Sequence, residues 1–356
     1  MSKVVRAAMV GVGGFTRDWV IPAASGLQNL RYVAVCDLRT EAAARAAEAL
    51  GTETVTARYA DVLARPDVDL VDLQTPNFLH ADQAEAAFAA GKHVFCQKPM
   101  ATTLAEAKRM VRAARRAGRR LGVFLDDLND PLLHDLKRAL GAGLIGRPTA
   151  FHFIYGRPGW RDLAPGAWRR SAAKTGGGSF VLLAIHYVRL TAWLFDTRVR
   201  RVTGFTRTLL ADMEGDDSAA GALELENGLV GTAAASYVIT PCPQVPGAMV
   251  IVYGTDGAVQ FSREGRRLTV FSAAATFRGE VVRYETAGRA QEFPCPADRL
   301  HRPTVHEQFA DAILTGRPFE VPGEAGLEDL AVCQALAESS RTGRAVAIAD
   351  FVGDMP

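Results

Sequence analysis

Val4–Thr16 reads VVRAAMVGVGGFT, an apolar run that ends in three closely spaced glycines. The run suits a short buried strand, and Gly11, Gly13 and Gly14 fall where such a strand turns into a helix. In a dinucleotide-binding turn the first glycine makes the tight bend and the second lets the backbone approach a pyrophosphate. The pyrophosphate then rests on N–H groups at the helix N-terminus. Thr16 stands where a third glycine is usual, so spacing alone leaves the fingerprint incomplete. A lone G-x-G is weak, since glycines end many strands. Phe15 and Thr16, at the helix start, join the candidate cofactor contacts.

The context outward from this turn strengthens it. Arg31–Cys36 is a second β-type run, and Asp37 ends it about 20 residues beyond the glycines, where a carboxylate can accept both ribose hydroxyls. That carboxylate repels a 2′-phosphate and favours NAD(H). Arg39 could hold such a phosphate, which keeps NADP(H) as the alternative. Helical segments over 16–27, bent at Pro22, and 41–50, capped by Thr40 and stopped by Gly51, alternate with the strands. Val68–Leu73, His93–Cys96 and Leu121–Leu125 read as further buried strands, with helices over 81–90 and 103–117 between them. Thr103 and Glu106 form a capping box for the second of these. This alternation predicts an α/β fold whose N-terminal part, 1–125, is a Rossmann domain with a parallel sheet.

Beyond residue 125 the pattern changes. A helix over 131–140 and a strand over 149–155 precede a Gly/Pro-rich loop and a helix over 180–194. Strand-like runs follow at 199–208, 219–225, 231–239, 249–253 and 268–271, with turns at Glu226–Gly228 and Thr255–Gly257. Residues 126–356 are therefore expected to form an α+β domain on an antiparallel sheet. Helices over 304–314 and 325–342 are candidates to pack back on the first domain.

Bulk composition narrows the class. A net charge of +2 offers no electrostatic case for nucleic acid or a membrane surface. The five cysteines, Cys36, Cys96, Cys242, Cys295 and Cys333, include no C-x-x-C and leave an odd one, which argues against a disulfide framework. No signal peptide or spanning segment is expected, so the expected setting is reduced and cytoplasmic. His134, His152, His301 and His306 lack ligand-like spacing, and no metal site is expected.

Two further segments, Thr75-Pro76-Asn77-Phe78-Leu79-His80 and Gln97-Lys98-Pro99, together with the glycine turn, resemble the Gfo/Idh/MocA oxidoreductase family. The resemblance continues through Leu144–Pro148, Trp168-Arg169, Gly176-Gly177-Gly178, His186 and Ser340–Val346. It implies that a Rossmann domain is followed by a large, open, mostly antiparallel sheet, through which members form homodimers or homotetramers. It also implies that Thr75, Pro76, Asn77, His80, Gln97 and Lys98 line the nicotinamide half of the cofactor, with Trp168 and Arg169 approaching it. The implied chemistry is hydride transfer between nicotinamide and a secondary alcohol or ketone of a sugar or cyclitol, a small-molecule substrate.

In the family, a Glu-Lys-Pro lysine and the Asp and His of a D-x-x-x-H segment carry the proton. Here Lys98 and His186 are present, but the Glu position is Gln97 and the Asp position is Leu182. Arg189 also stands where many members have Asp. These changes remove negative charge, so neutral lysine and imidazole are expected, and a more apolar wall at Leu182. Leu182 and His186, one helical turn apart, are expected to share a face. Tyr155 and Arg157, on one strand face by period two, align with substrate contacts, as does Lys98. Tyr187, Tyr237, Asp126 and Asp127 are weaker candidates, equally explained by packing or a solvated turn. The departures also motivate two alternatives: redox-neutral elimination or glycoside cleavage using bound NAD, and a non-catalytic nucleotide sensor.

Overall fold

The computed structural model describes residues 4–159, 164–209, 212–240, 247–263, 267–272, 291–294 (backbone only) and 303–354. The chain divides into two compact units. The first comprises 1–126, 303–330 and 354–356, and the second 127–302 and 331–353.

The first unit is built on six parallel strands: β1 Val5–Val10, β2 Leu30–Cys36, β3 Val55–Thr56, β4 Leu70–Leu73, β5 His93–Gln97 and β6 Leu121–Phe124. Their order, β3-β2-β1-β4-β5-β6, reverses direction of growth at β1 and β4. A switch point of this kind opens a crevice at the C-terminal ends of the strands, where ligands bind in doubly wound folds. β1, β4 and β6 are buried almost throughout, as strands covered on both faces must be. The capping box of Thr103 and Glu106 is present and starts the helix Leu104–Ala117, which Gly118 ends in a left-handed conformation.

Some local details differ from expectation. The helix Thr40–Ala49 starts at Thr40 itself, with Arg39 as its N-cap and no side-chain cap bond. The helix after the glycine turn begins with a π-turn over Thr16–Val20 and ends at Ala24, short of Leu27. The strand β3 and the helix Tyr59–Ala64 were not legible, being too short to show a period.

The helix Val305–Thr315, opened by a second capping box of Thr304 and Glu307, completes the core of the first unit. Phe309 stacks on Phe95 at 4.9 Å between ring centroids and meets Phe319 edge-on at 5.0 Å. Truncating a buried phenylalanine of this kind costs about 3–5 kcal/mol.

The second unit carries nine strands: β7 Pro148–Gly156, β8 Val199–Arg207, β9 Ser218–Leu225, β10 Val230–Ser236, β11 Ala248–Gly254, β12 Gly257–Ser262, β13 Arg267–Ser272, β14 Gln291–Pro294 and β15 Val346–Ala347. Their order is β14-β13-β12-β11-β7-β10-β9-β8-β15. β7 and β10 pair in parallel, and the other neighbours are antiparallel. Side chains alternate across the pleat, so one face buries Phe151, Phe153, Ala233, Ala235, Val250 and Val252. On the other face, Val230, Ala150, Tyr253, Ala258 and Phe271 lie in register across five strands. Val230, Tyr253 and Phe271 are exposed there.

The expectation that no segment has spanning length is corrected. Ala172–Leu194 is 23 residues long with a mean hydropathy of 1.2, enough to cross a membrane by length and composition alone. In the structure 78% of its most apolar window is buried, and it packs on β7 and β10. An apolar stretch in a large core has this character, and Gly176–Gly178 interrupt its helix.

Candidate active site

The glycine turn is shaped by contact with the neighbouring strand. Gly11 has φ 95° and donates its N–H to the Cys36 carbonyl at 2.8 Å. A Cβ there would lie 2.8 Å from the Gln74 carbonyl carbon and 2.9 Å from Thr75 Cγ2. Only glycine meets both the dihedral and the close approach. A Cβ on Gly13, by contrast, would meet nothing within 4 Å. The turn thus leaves an open cradle at the start of a helix, the setting that suits a pyrophosphate. Phe15 meets Phe124 edge-on, while Thr16 is buried.

Asp37 closes the other side. Its Oδ2 accepts the Val12 N–H at 2.7 Å, and its Oδ1 accepts the Arg39 N–H at 2.8 Å and Arg39 Nε at 3.2 Å. Partial burial pushes the Asp37 carboxyl up, but these donors and the guanidinium outweigh it and hold the group below its ordinary value. Arg39 Nη2 also donates to the Val12 carbonyl at 2.7 Å. The arginine therefore braces the carboxylate, although its side chain stays 66% exposed.

The ends of β4 and β5 are tied by His80. Its ring is buried, with Nε2 2.8 Å from the Thr75 carbonyl and Nδ1 3.1 Å from the Pro99 carbonyl. Desolvation lowers its pKa despite the carbonyls around it. His80 accordingly holds the two loops that carry Thr75, Pro76 and Lys98. Asn77 is buried at the first turn of the helix Asn77–Ala89.

Gln97 belongs to a hydrogen-bond chain that sequence reasoning did not anticipate. Its Oε1 accepts the Lys98 N–H at 2.9 Å, and its Nε2 donates to Gln74 Oε1 at 3.2 Å. Gln74 Nε2 donates in turn to Asp72 Oδ1 at 2.7 Å. Asp72 is fully buried and also receives Tyr32 Oη at 2.6 Å and faces His306 Nε2 at 3.2 Å. Desolvation, then the Asp72 charge, push the Tyr32 phenol far up, so it stays a donor. The one available signal was Asp72 itself, a carboxylate inside an apolar parallel strand, which must find partners.

In the second unit the helix carrying His186 is anchored by its glycines. A Cβ on Gly178 would overlap the Asp216 backbone. Asp216 Oδ2 accepts Ser179 Oγ at 2.6 Å and the Phe180 N–H at 3.1 Å. Desolvation raises the Asp216 pKa even so. A π-turn over Phe180–Ala184 precedes the α-helix Ile185–Leu194. Leu182 lies in the π-turn and His186 in the first turn of the α-helix, and both are buried. π-turns of this sort often mark functional sites.

The largest correction concerns charge. The His186 side was expected to have lost its carboxylate, but His186 Nδ1 makes an ion-pair contact with Asp127 Oδ2. Asp127 is buried in the turn Asp126–Asn129, and its Oδ1 contacts Arg263 Nη2. Arg263 Nη1 donates to Tyr155 Oη at 3.2 Å, and its guanidinium lies 5.3 Å from the Tyr155 ring centroid. Tyr155 meets His186 edge-on at 5.4 Å and stacks on the buried Tyr187 at 5.2 Å. Tyr155, a strand-face candidate, is thus brought to His186, whereas Arg157 is not its partner by pleat. β7 ends at Gly156, and Arg157 lies beyond it.

Trp168 and Arg169 form a short 3-10 turn, the guanidinium 5.3 Å from the indole ring. Tyr237 is buried, and desolvation pushes its phenol up to about 12 against the lowering influence of Arg157 and Arg169. In the sequence Asp127 is equally explained by packing or a solvated turn, and Arg263 carries no signal at all.

A switch-point crevice, a glycine cradle and a carboxylate at the end of β2 are the features of a dinucleotide-binding fold. The sequence matches the oxidoreductase family with an NAD-binding Rossmann fold over residues 5–125 and the GFO/IDH/MocA C-terminal domain over 133–260. The chain belongs to the GFO/IDH/MocA oxidoreductase family.

Among its relatives is the 1,5-anhydro-D-fructose reductase of Ensifer adhaerens. It is 27% identical over 347 residues, covering 96% of this chain and 98% of that one. The inositol 2-dehydrogenase of Salmonella typhimurium is 33% identical over 153 residues, 42% of this chain and 45% of that one. A solved structure of the WlbA dehydrogenase from Bordetella pertussis, in complex with NADH and UDP-GlcNAcA, superposes with a TM-score of 0.77 at 27% identity. It covers 97% of this chain and 99% of that one. Neither redox-neutral elimination nor nucleotide sensing gains support from these relatives.

Proposed function

We propose that this chain interconverts a secondary alcohol and a ketone on a sugar or cyclitol, using NAD(H). Lys98 carries the reading: it sits at the C-terminal end of β5, in the unit that holds the glycine cradle, with its N–H fixed by Gln97 at 2.9 Å.

The residues present suit the dinucleotide. Gly11, Gly13 and Gly14, with Phe15 and Thr16 behind them, would cradle its pyrophosphate, and Asp37 would accept the ribose hydroxyls. Thr75, Pro76 and Asn77 would border the nicotinamide, together with Gln97 and Lys98, and the family resemblance adds Trp168 and Arg169 to the cofactor contacts. When bound, nicotinamide supplies the hydride acceptor or donor. The protein then has to manage the hydroxyl proton. Lys98 Nζ and the His186 imidazole are the groups able to take that proton from the alcohol, or to return it to the ketone oxygen. Tyr155 and Leu182 would contact the substrate, the tyrosine by its hydroxyl and the leucine by apolar surface.

NAD(H) is favoured over NADP(H) by the state of Asp37. Its depressed pKa keeps it anionic at neutral pH, and Arg39 is engaged by it and by the Val12 carbonyl. The exposed in-register row at Val230, Tyr253 and Phe271 supports a homodimer or homotetramer formed through this sheet. The buried free thiols of Cys36, Cys96 and Cys333 suit a reduced, cytoplasmic setting. Cys242 and Cys295 lie outside the described residues.

The test is a panel of polyols, cyclitols and keto-sugars followed at the nicotinamide absorbance, with NAD and NADP in parallel. Turnover of at least one secondary alcohol or ketone with NAD(H), lost in Lys98→Met, is the expected outcome. No net nicotinamide signal across the panel would overturn the assignment.

A further inference from the structure

We infer that Asp127 is the positioning carboxylate for His186, replacing from a different segment the acid that Leu182 lacks. The inference rests on the acid–base reading of His186 given above. Asp127 presents one oxygen to His186 Nδ1 and the other to Arg263 Nη2. Both contacts lie in the second unit, and Asp127 is buried.

The arrangement determines which imidazole nitrogen carries the proton. A guanidinium is always a donor, so the Asp127 oxygen facing Arg263 must accept. The other carboxylate oxygen also only accepts, so His186 Nδ1 must be the protonated nitrogen. The lone pair then resides on Nε2, which becomes the atom able to take the alcohol proton. The bond to the carboxylate also stabilises the imidazolium that results, and Arg263 keeps Asp127 ionised while this happens. Tyr155 completes the frame: its hydroxyl accepts from Arg263 and its ring packs against the His186 edge. Asp126, Asp127 and His186 also bring their ligand atoms within 4.8 Å of one another, and Arg263 already engages one Asp127 oxygen.

Asp127→Asn makes a sharp prediction from the same logic. Arg263 will still demand an acceptor, so the amide oxygen turns to it and the amide N–H₂ turns to His186 Nδ1. That forces the proton onto Nε2, the wrong tautomer for a base.

The experiment is side-chain ¹⁵N NMR of the histidine-labelled full chain, with the His186 signals identified by their absence in His186→Gln. In the wild type, above the imidazole titration range, His186 is expected to show a protonated-type Nδ1 and an unprotonated-type Nε2. Asp127→Asn should exchange the two signatures at unchanged fold, and Asp127→Glu should restore the wild-type pattern in part. With a substrate identified by the panel, Asp127→Asn should lower kcat on the order of 10²–10³-fold with KM moved little. An Nε2–H tautomer in the wild type, or an unchanged tautomer in Asp127→Asn, would overturn the inference. The NMR result needs no substrate, so a failed panel with the expected tautomer would reject the proposed reaction and leave the positioning role standing.

Discussion

The end of β5 and the start of the His186 helix both depart from the family pattern, and the protein accommodates them in different ways. At β5, Gln97 in place of glutamate is absorbed by its immediate neighbour in the sheet. Its amide donates to Gln74 and accepts from Lys98 N–H, a pair of roles that an ionised glutamate could not fill. At His186, the missing acid is supplied by Asp127, which belongs to a turn after β6. One change is local and neutral; the other moves a charge to a new element. A departure from a motif therefore need not be a loss of chemistry, and only the partners decide which it is.

The largest effect expected at the β5 end comes from Lys98→Met. It should lower kcat/KM by about 10³-fold or more while NADH affinity changes little. If His186→Gln were as severe and Lys98→Met mild, the proton would be handled by His186 alone. Asp37→Ala should come next. Removing the ribose carboxylate is expected to cut the preference for NAD over NADP by about 10–100-fold, equivalent to about 1.4–2.8 kcal/mol. Parallel titrations with NADH and NADPH measure it, and an unchanged ratio would remove Asp37 from the cofactor site.

Gln97→Glu tests the local half of the comparison. It restores the family residue but deletes the donor to Gln74 and brings a second carboxylate toward the Asp72 cluster. A loss of about 1–3 kcal/mol in stability is expected, read as a lower denaturation midpoint with the slope preserved. A gain in stability would show that the chain from Lys98 to Asp72 is not a coupled unit.

The smallest effect concerns pH. His93, at the start of β5, accepts the Arg120 N–H at 2.9 Å, and burial, with Arg119 and Arg120 nearby, lowers its pKa from 6.5 to about 4. The unfolded chain therefore binds a proton there that the folded chain refuses. Its contribution to stability is full above about pH 6.5 and is lost as pH falls from 6.5 towards 4. Denaturation midpoints of wild type and His93→Gln across that window should converge at the acid end. Asp37, with its pKa depressed, adds stability above the ordinary carboxylate range that disappears only in stronger acid.

Much of the first unit was legible from short windows of sequence. Apolar runs of strand length, the glycine turn and the Thr103–Glu106 capping box each act within a few residues, so β1, β2, β4, β5 and β6 and the helix Leu104–Ala117 could be read directly. Asp37 could be singled out too, because its place directly after β2 is written locally. Less could be read in the second unit. Tyr155 and His186 were singled out separately, but nothing in their spacing said that their rings would meet.

By itself the sequence determined the parallel α/β unit, the cofactor cradle and the position of Lys98 at a strand end. Those features depend on backbone periodicity and on residues with special φ/ψ, which are written locally. Tertiary structure alone decided that Asp127 faces His186, that Arg263 holds Asp127, and that His306 reaches Asp72 across 234 positions. Pairings of that kind depend on how distant elements pack. A buried charge is tolerated only where such packing brings it a partner.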